Sequence, residues 1–151
     1  MLHLIRFAFL RKLLPSALLL ACLVAAAACG GSSSACMPEP PVECTPSINT
    51  DFASLHKNIL SQRCGTSGGA CHGPSGKQGN LVLSDPQTAY SALLGKDGTA
   101  TRVIPGDPSC SLLMQRLESD DPQRRMPRGE NKLPDGLRCA IRRWIEEGAA
   151  P

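Results

Sequence analysis

Cys64, Cys71 and His72 lie together in the stretch Cys64-Gly-Thr-Ser-Gly-Gly-Ala-Cys71-His72. Two cysteines with a histidine directly after the second are the residues that tether and ligate a c-type haem. Each thiol can form a thioether with a vinyl group, and the adjacent histidine reaches the iron because the tether fixes its position. The usual motif has two residues between the cysteines, whereas six stand here. Four extra residues must then bulge outward, which Thr66-Ser67-Gly68-Gly69, small and turn-prone, permits. Three outcomes are open. Both cysteines attach haem; only Cys71 does; or the two close a disulfide across a short loop and no covalent haem exists. The second axial ligand must come from elsewhere, commonly a methionine, whose thioether stabilises ferrous iron. Met126 is the candidate, since Pro127 after it restricts the backbone that presents the sulfur. His56 is an alternative distal ligand, although a histidine on an apolar helix face is more often packed and hydrogen-bonded. Met114 reads as core packing.

The elements that must position these residues are mostly helical. Asp51 to Gln62 forms a first helix, capped by Thr50 or Asp51, with Phe52, Leu55, Ile59 and Leu60 on one stripe that leads into Cys64. Glycines at 65, 68, 69, 73, 76 and 79 then make a permissive loop. Asn80 to Ser84 is at most an extended piece. Asp85-Pro86 starts a second helix that stops at Gly95. A third runs from Pro108 to about Glu118 and aligns Cys110, Leu113, Met114 and Leu117. A polar loop from Ser119 to Lys132 carries Met126 among Arg124, Arg125, Arg128 and Lys132. Those basic side chains could pair with haem propionates or dock a partner, though a solvated basic loop is the plainer account. The last helix, about Pro134 to Glu147, has the clearest stripe: Leu137, Ala140, Ile141, Trp144 and Ile145, ended by Gly148. The fold class is therefore mostly α, a small helical domain with long loops.

Composition constrains the setting. Aromatics make up only 3%, so the core of a domain of about a hundred residues is marginal without covalent staples or a cofactor. Eight cysteines in so short a chain indicate an oxidising compartment. Arg6, Arg11 and Lys12 form a positive n-region before the apolar run Leu13 to Ala28, as in a secretory signal. That run is interrupted by Pro15 and too short to span a bilayer. Removing those three of the 16 basic side chains leaves thirteen against 13 acidic ones, so charge gives no case for nucleic acid. Ala26-Ala27-Ala28-Cys29-Gly30-Gly31 resembles a bacterial lipoprotein cleavage box, in which the cysteine becomes the lipidated first residue. Cys22, after Leu19-Leu20-Ala21, fits the residue rule better but shortens the apolar run. An ordinary signal peptide is the simpler competitor. The expected organisation is 1–28 signal peptide with lipid on Cys29, 29–49 a Pro/Ser/Gly-rich tether, and 50–151 the domain. Cys36 and Cys44 bracket the Pro-rich linker and invite a local disulfide. Cys110 and Cys139 remain to staple the third and last helices, although Cys139 faces away from its helix's apolar stripe.

From Phe52 to Ala149 the chain resembles a secreted, class I-like c-type cytochrome domain of bacterial lipoproteins and multidomain haem proteins. The resemblance rests on Ile59-Leu60, Cys71-His72-Gly73, Leu81-Val82-Leu83, Val103-Ile-Pro-Gly-Asp-Pro108, Ser111-Leu112, Met126-Pro127 and Trp144-Ile-Glu-Glu-Gly-Ala149, in that order. It implies a cytochrome c-like helical fold, one haem c with His72 and Met126 as axial ligands, and Cys71 as an attachment cysteine. Cys64 departs from the pattern through its spacing. Implied in turn are electron transfer rather than enzymatic chemistry, a redox partner protein in the cell envelope, and periplasmic or outer-membrane location through the lipid. The competing class is a haem-free, disulfide-stapled envelope lipoprotein with a binding or structural role. A zinc site on Cys64, Cys71 and His72 needs reduced thiolates that an exported chain does not favour. Peroxidase chemistry would require Met126 to leave the iron open.

Overall fold

The computed structural model describes residues 36–37, 43–66 and 71–151, so the expected signal segment, Cys22 and Cys29 lie outside the described residues. The described residues are helical, with no named strand among them. Four α-helices follow one another: α1 (Phe52–Leu55), α2 (Pro86–Leu93), α3 (Leu112–Glu118) and α4 (Asp135–Glu146). No helix among the described residues is long and apolar enough to cross a membrane.

The first helix departs from its expected form. Asp51 caps it, its carboxylate accepting the Ser54 amide at 2.8 Å. After Leu55 the chain widens without a break into a π-helical segment, His56–Cys64. The Gly65 amide donates five residues back to the Leu60 carbonyl at 2.7 Å, and the Ser61 hydroxyl donates to the His56 carbonyl at 2.9 Å. Wider turns of this kind recur at functional sites. Here they carry the helix two residues past its expected end and bring Cys64 to the same side as Ile59 and Leu60.

The second helix begins as expected, with the Asp85 carboxylate accepting the Thr88 amide at 2.8 Å and Pro86 in the first turn. The third starts later than expected, at Leu112 rather than Pro108. Asp107 accepts the Cys110 amide at 2.9 Å and the Ser109 hydroxyl at 2.7 Å, closing Pro108–Cys110 into a turn. The buried Ser111 hydroxyl completes that turn by donating to the Asp107 carbonyl at 2.7 Å and accepting the Ile104 amide at 2.8 Å. An Asp-Pro start is shared by helices and turns, so sequence could not separate the two.

The core sits where α1 meets α4. Phe52 and Trp144 pack with ring centroids 5.4 Å apart, and Tyr90 meets Phe52 edge-on at 5.1 Å. The Tyr90 hydroxyl and the Trp144 indole donate to the carbonyls of Ala149 (3.1 Å) and Ala150 (2.7 Å), fixing the C-terminal residues over this cluster. Burying one such large side chain stabilises by about 1.5–3 kcal/mol. On the other side of α4, Glu118 accepts from Arg138 (3.0 Å) and Arg142 (3.2 Å), joining α3 to α4.

The four cysteines expected in disulfides are all paired, but crosswise. Cys36 joins Cys110 and Cys44 joins Cys139, in place of the expected Cys36–Cys44 and Cys110–Cys139. The physical reason is that described residues of the presumed spacer lie against the helices. The Ser47 amide donates to Gly136 at 3.1 Å and the Met37 amide to Ser109 at 3.1 Å. Ser47 is close enough to Gly136 that a Cβ there would stand 2.7 Å from the Ser47 Cβ. That covering explains Cys139, which lies on the polar side of α4 by pattern yet is 1% exposed.

Candidate functional site

Cys64, Cys71, His72 and Met126 line one cavity of about 700 Å³. Volumes of about 300–1,000 Å³ are those of small-molecule and cofactor sites. The walls are largely apolar and come from every helical element except α1: Ile59 and Leu60 from the π-helical segment, Leu93 from α2, Leu117 from α3 and Ile141 from α4, with Leu81 and Leu83 from the extended piece.

The Leu81–Leu83 piece is the stave against which the cysteine–histidine region is fixed. The Leu83 amide donates to the His72 carbonyl at 2.7 Å. The buried His56 places Nε2 3.2 Å from the Leu83 carbonyl and its ring beside Phe52, and it is not among the cavity-lining residues. His56 therefore ties the first helix to this stave, and the cavity receives His72 instead. Gly65 presses on the same backbone: a Cβ at that position would lie 2.5 Å from the Leu83 carbonyl carbon and 2.6 Å from the Ser84 nitrogen.

Between the cysteines, the His72 amide donates to the Cys64 carbonyl at 3.1 Å. In a motif with two intervening residues, the histidine stands four residues after the first cysteine, the spacing of one α-helical hydrogen bond. The same bond is made here with four additional residues in the loop; residues 67–70 lie outside the described ones. Cys64 and Cys71 are free thiols, so the competing Cys64–Cys71 disulfide is not formed. Cys71 is exposed. Burial, then the neighbouring Cys71, pushes the Cys64 thiol up from its ordinary 9.0 to about 11.

The His72 ring is oriented by backbone. Its Nδ1 lies 2.9 Å from the Gln78 carbonyl. A carbonyl only accepts, so Nδ1 carries a proton, and in the neutral ring Nε2 is then the nitrogen with the lone pair a metal requires. Gln78 is held in turn, its amide donating to Cys71 at 2.9 Å within the short 3₁₀ segment Gln78–Asn80. Met126 is placed by its own amide, which donates to the Arg116 carbonyl of α3 at 2.9 Å, and it packs against the core.

Four arginines, Arg102, Arg116, Arg124 and Arg128, line the cavity, and none of the described residues lining it is Asp or Glu. Two of the four basic residues flanking Met126 in sequence thus reach the cavity. The other two turn elsewhere: Arg125 donates to the Glu130 carbonyl at 3.2 Å and Lys132 pairs with Asp120 at 2.7 Å. Met114 is fully buried in the core and does not line the cavity. Sequence reasoning missed Gln78, Arg102 and Arg116. Gln78 acts through its carbonyl, for which no residue type is a signal, while Arg102, just before the Val103–Pro108 motif, and Arg116, between Gln115 and Leu117, carry no mark in sequence that they face the cavity.

The donor set fits haem: an imidazole with a free Nε2, a thioether sulfur, two thiols, apolar walls and cationic groups for two carboxylates. A closed metal site fits less well, since no group of three or more His, Cys, Asp or Glu able to hold a metal occurs among the described residues. Residues 69–130 match the family model described as Planctomycete cytochrome C, which supports a cytochrome c-like domain. That stretch contains Cys71, His72, Arg102 and Met126 and stops short of α4. Neither the curated proteins nor the solved structures yield a match.

Proposed function

We propose that the chain is a membrane-tethered electron carrier, a monohaem c-type cytochrome with Cys64 and Cys71 as attachment sites and His72 and Met126 as axial ligands. The observation that carries this reading is the convergence of those four side chains on one apolar cavity. The family match supports its coarser part, a c-type cytochrome.

Haem, when bound, supplies a one-electron ferric/ferrous couple. The protein supplies the rest. The Cys64 and Cys71 thiols would hold the haem by adding to its vinyl groups, with the thiol proton going to the neighbouring carbon and no net change of oxidation state. The Gln78 carbonyl holds the His72 proton on Nδ1 and so leaves Nε2 for the iron; such outer partners also raise ligand basicity. The Met126 thioether favours the ferrous state and raises the potential. Apolar walls exclude water and favour the form with less charge. The arginines match the propionates. His72 and Met126 would be the residues that hold the iron, and with both engaged the group would serve electron transfer.

We further propose that Cys29 carries the lipid that anchors the chain in the cell envelope, where a redox partner protein exchanges electrons with it. The lipoprotein-like box and the positive n-region before it support this. The test is a spectroelectrochemical titration of protein matured with a c-type haem system, run alongside Met126→Ala. A reversible one-electron wave is expected. In Met126→Ala the equilibrium should move at least tenfold toward ferric, about 59 mV, and the haem should become open to added imidazole. A wave and ligand access unchanged by Met126→Ala would exclude Met126 as a ligand.

A further inference from the structure

Arg102 is a buried cation with an unusual set of partners. It is 9% exposed and lines the cavity. Its Nη1 donates to the carbonyls of Ala92 (2.9 Å) and Ala100 (2.8 Å) and to the Thr99 hydroxyl (2.9 Å). Its Nη2 donates to the carbonyls of Gly79 (2.7 Å) and, more weakly, Asn80 (3.4 Å). Every one of these acceptors is neutral, and among the described residues no carboxylate forms an ion pair with it. Its nearest carboxylate acts at one remove: Asp97 accepts the same Thr99 hydroxyl at 2.6 Å, and that bond, helped by the Arg102 charge, lowers the Asp97 pKa, so in direct contact the guanidinium serves chiefly backbone carbonyls.

That geometry points at His72. The Arg102 and Val103 amides both donate to Leu93 at 2.9 Å, so the base of the side chain is fixed to the end of α2. From there the fork reaches the Gly79 and Asn80 carbonyls, in the same turn as the Gln78 carbonyl that holds His72 Nδ1. Within this turn Gly79 (φ +63°) and Asn80 (φ +54°) take left-handed backbone. Glycine and asparagine are the residues that adopt it most readily, so the turn's own sequence favours this shape and presents successive carbonyls to the guanidinium. The planar fork sets one terminal nitrogen on the Ala92 and Ala100 carbonyls and the other on the Gly79–Asn80 carbonyls, a span that the single ammonium nitrogen of a lysine cannot make.

We propose that Arg102 is the positioning residue of the site: it clamps the Gln78–Asn80 turn and so fixes the His72 imidazole in the Nδ1–H tautomer. This rests on the reading of His72 as the proximal ligand.

The test reads the imidazole directly. Proton exchange at His72 Nδ1 is measured by NMR on ¹⁵N-labelled protein as isolated, in the reduced state, for wild type, Arg102→Gln and Arg102→Lys. The Trp144 indole N–H, bonded to Ala150 at the far side of the core, reports the global fold. In Arg102→Gln, His72 Nδ1–H exchange should speed up at least tenfold while Trp144 exchange is unchanged. Arg102→Lys should fail to restore protection, because it returns the charge without the fork. Unchanged His72 exchange in a folded Arg102→Gln protein overturns the proposal. Should the variants not fold, native-state exchange on wild type decides. The Arg102 Nη hydrogens and His72 Nδ1–H must then open together and before Trp144, and independent opening overturns the clamp. Haem content is assayed separately on the same samples. Absence of haem would count against the proposed function, while the exchange result would still decide the clamp.

Discussion

At the scale of single residues, reactivity separates the two free cysteines. Cys71 is exposed, whereas burial lifts the Cys64 thiol to about 11. At pH 8 only about one Cys64 in a thousand is thiolate, the reactive form. In haem-free protein, iodoacetamide at pH 8 should therefore label Cys71 first, as peptide mass mapping would show. Equal labelling rates would mean that Cys64 is not buried against the cavity. The same shift has a consequence for stability. The folded value lies above the unfolded one, so the contribution of Cys64 is complete below about pH 9 and is lost as pH rises through about 11. Denaturation midpoints of the haem-free protein should fall across that window, and a Cys64→Ser variant should lose less. What could be read from the sequence at this scale were the residues whose chemistry is carried by their type: the cysteine pair, His72 and Met126. Arg102 and Gln78 escaped because one acts through a fold-dependent fan of carbonyls and the other through its own backbone.

At the scale of elements, the π-helical segment and the Leu81–Leu83 stave decide where the cysteines stand. The apolar stripe of the first helix is plain in the sequence, but its wider turns are not, because Phe52, Leu55 and Ile59 suit either helical form. Gly65 is the point where that helix touches the stave. Because an added Cβ would stand only 2.5 Å from the Leu83 carbonyl carbon, Gly65→Ala must displace backbone. A cost of about 1–3 kcal/mol is expected from such overpacking, measured by urea denaturation. It should be accompanied by a disturbed His72 signal, since Leu83 also binds the His72 carbonyl. A variant as stable as wild type would mean that the close approach is not real. The start of α3 was misplaced for a different reason: Asp107 satisfies a turn before the helix instead of the helix itself.

At the scale of the whole molecule, two disulfides of long separation, 74 and 95 residues, fasten the N-terminal segment across the helices. Loops of that length stabilise by roughly 2–5 kcal/mol each, largely by restricting the unfolded chain. Cys44→Ser with Cys139→Ser should lower stability by that order in a denaturant titration. Non-reducing peptide maps with cleavage after Glu43 should return Cys36 with Cys110 and Cys44 with Cys139; a Cys36–Cys44 species would contradict this arrangement. The pairing could not be read from sequence because the linker looks like a spacer in composition, and only the packing of Ser47 on Gly136 shows it to be a strap. If Cys29 bears lipid as proposed, only residues 30–35 separate it from the first disulfide. By chain length that is a reach of at most about 25 Å. Everything proposed about electron transfer depends on whether the cavity holds covalent haem. The most direct measurement is a pyridine haemochrome spectrum, with intact mass, on denatured protein co-expressed with a c-type haem maturation system and extracted with acid–acetone. The account predicts one retained haem per chain, with a band position of two thioethers, from Cys64 and Cys71. No retained haem, with Cys64 linked to Cys71 in the peptide map, would contradict it and leave a disulfide-stapled protein of cytochrome-like fold.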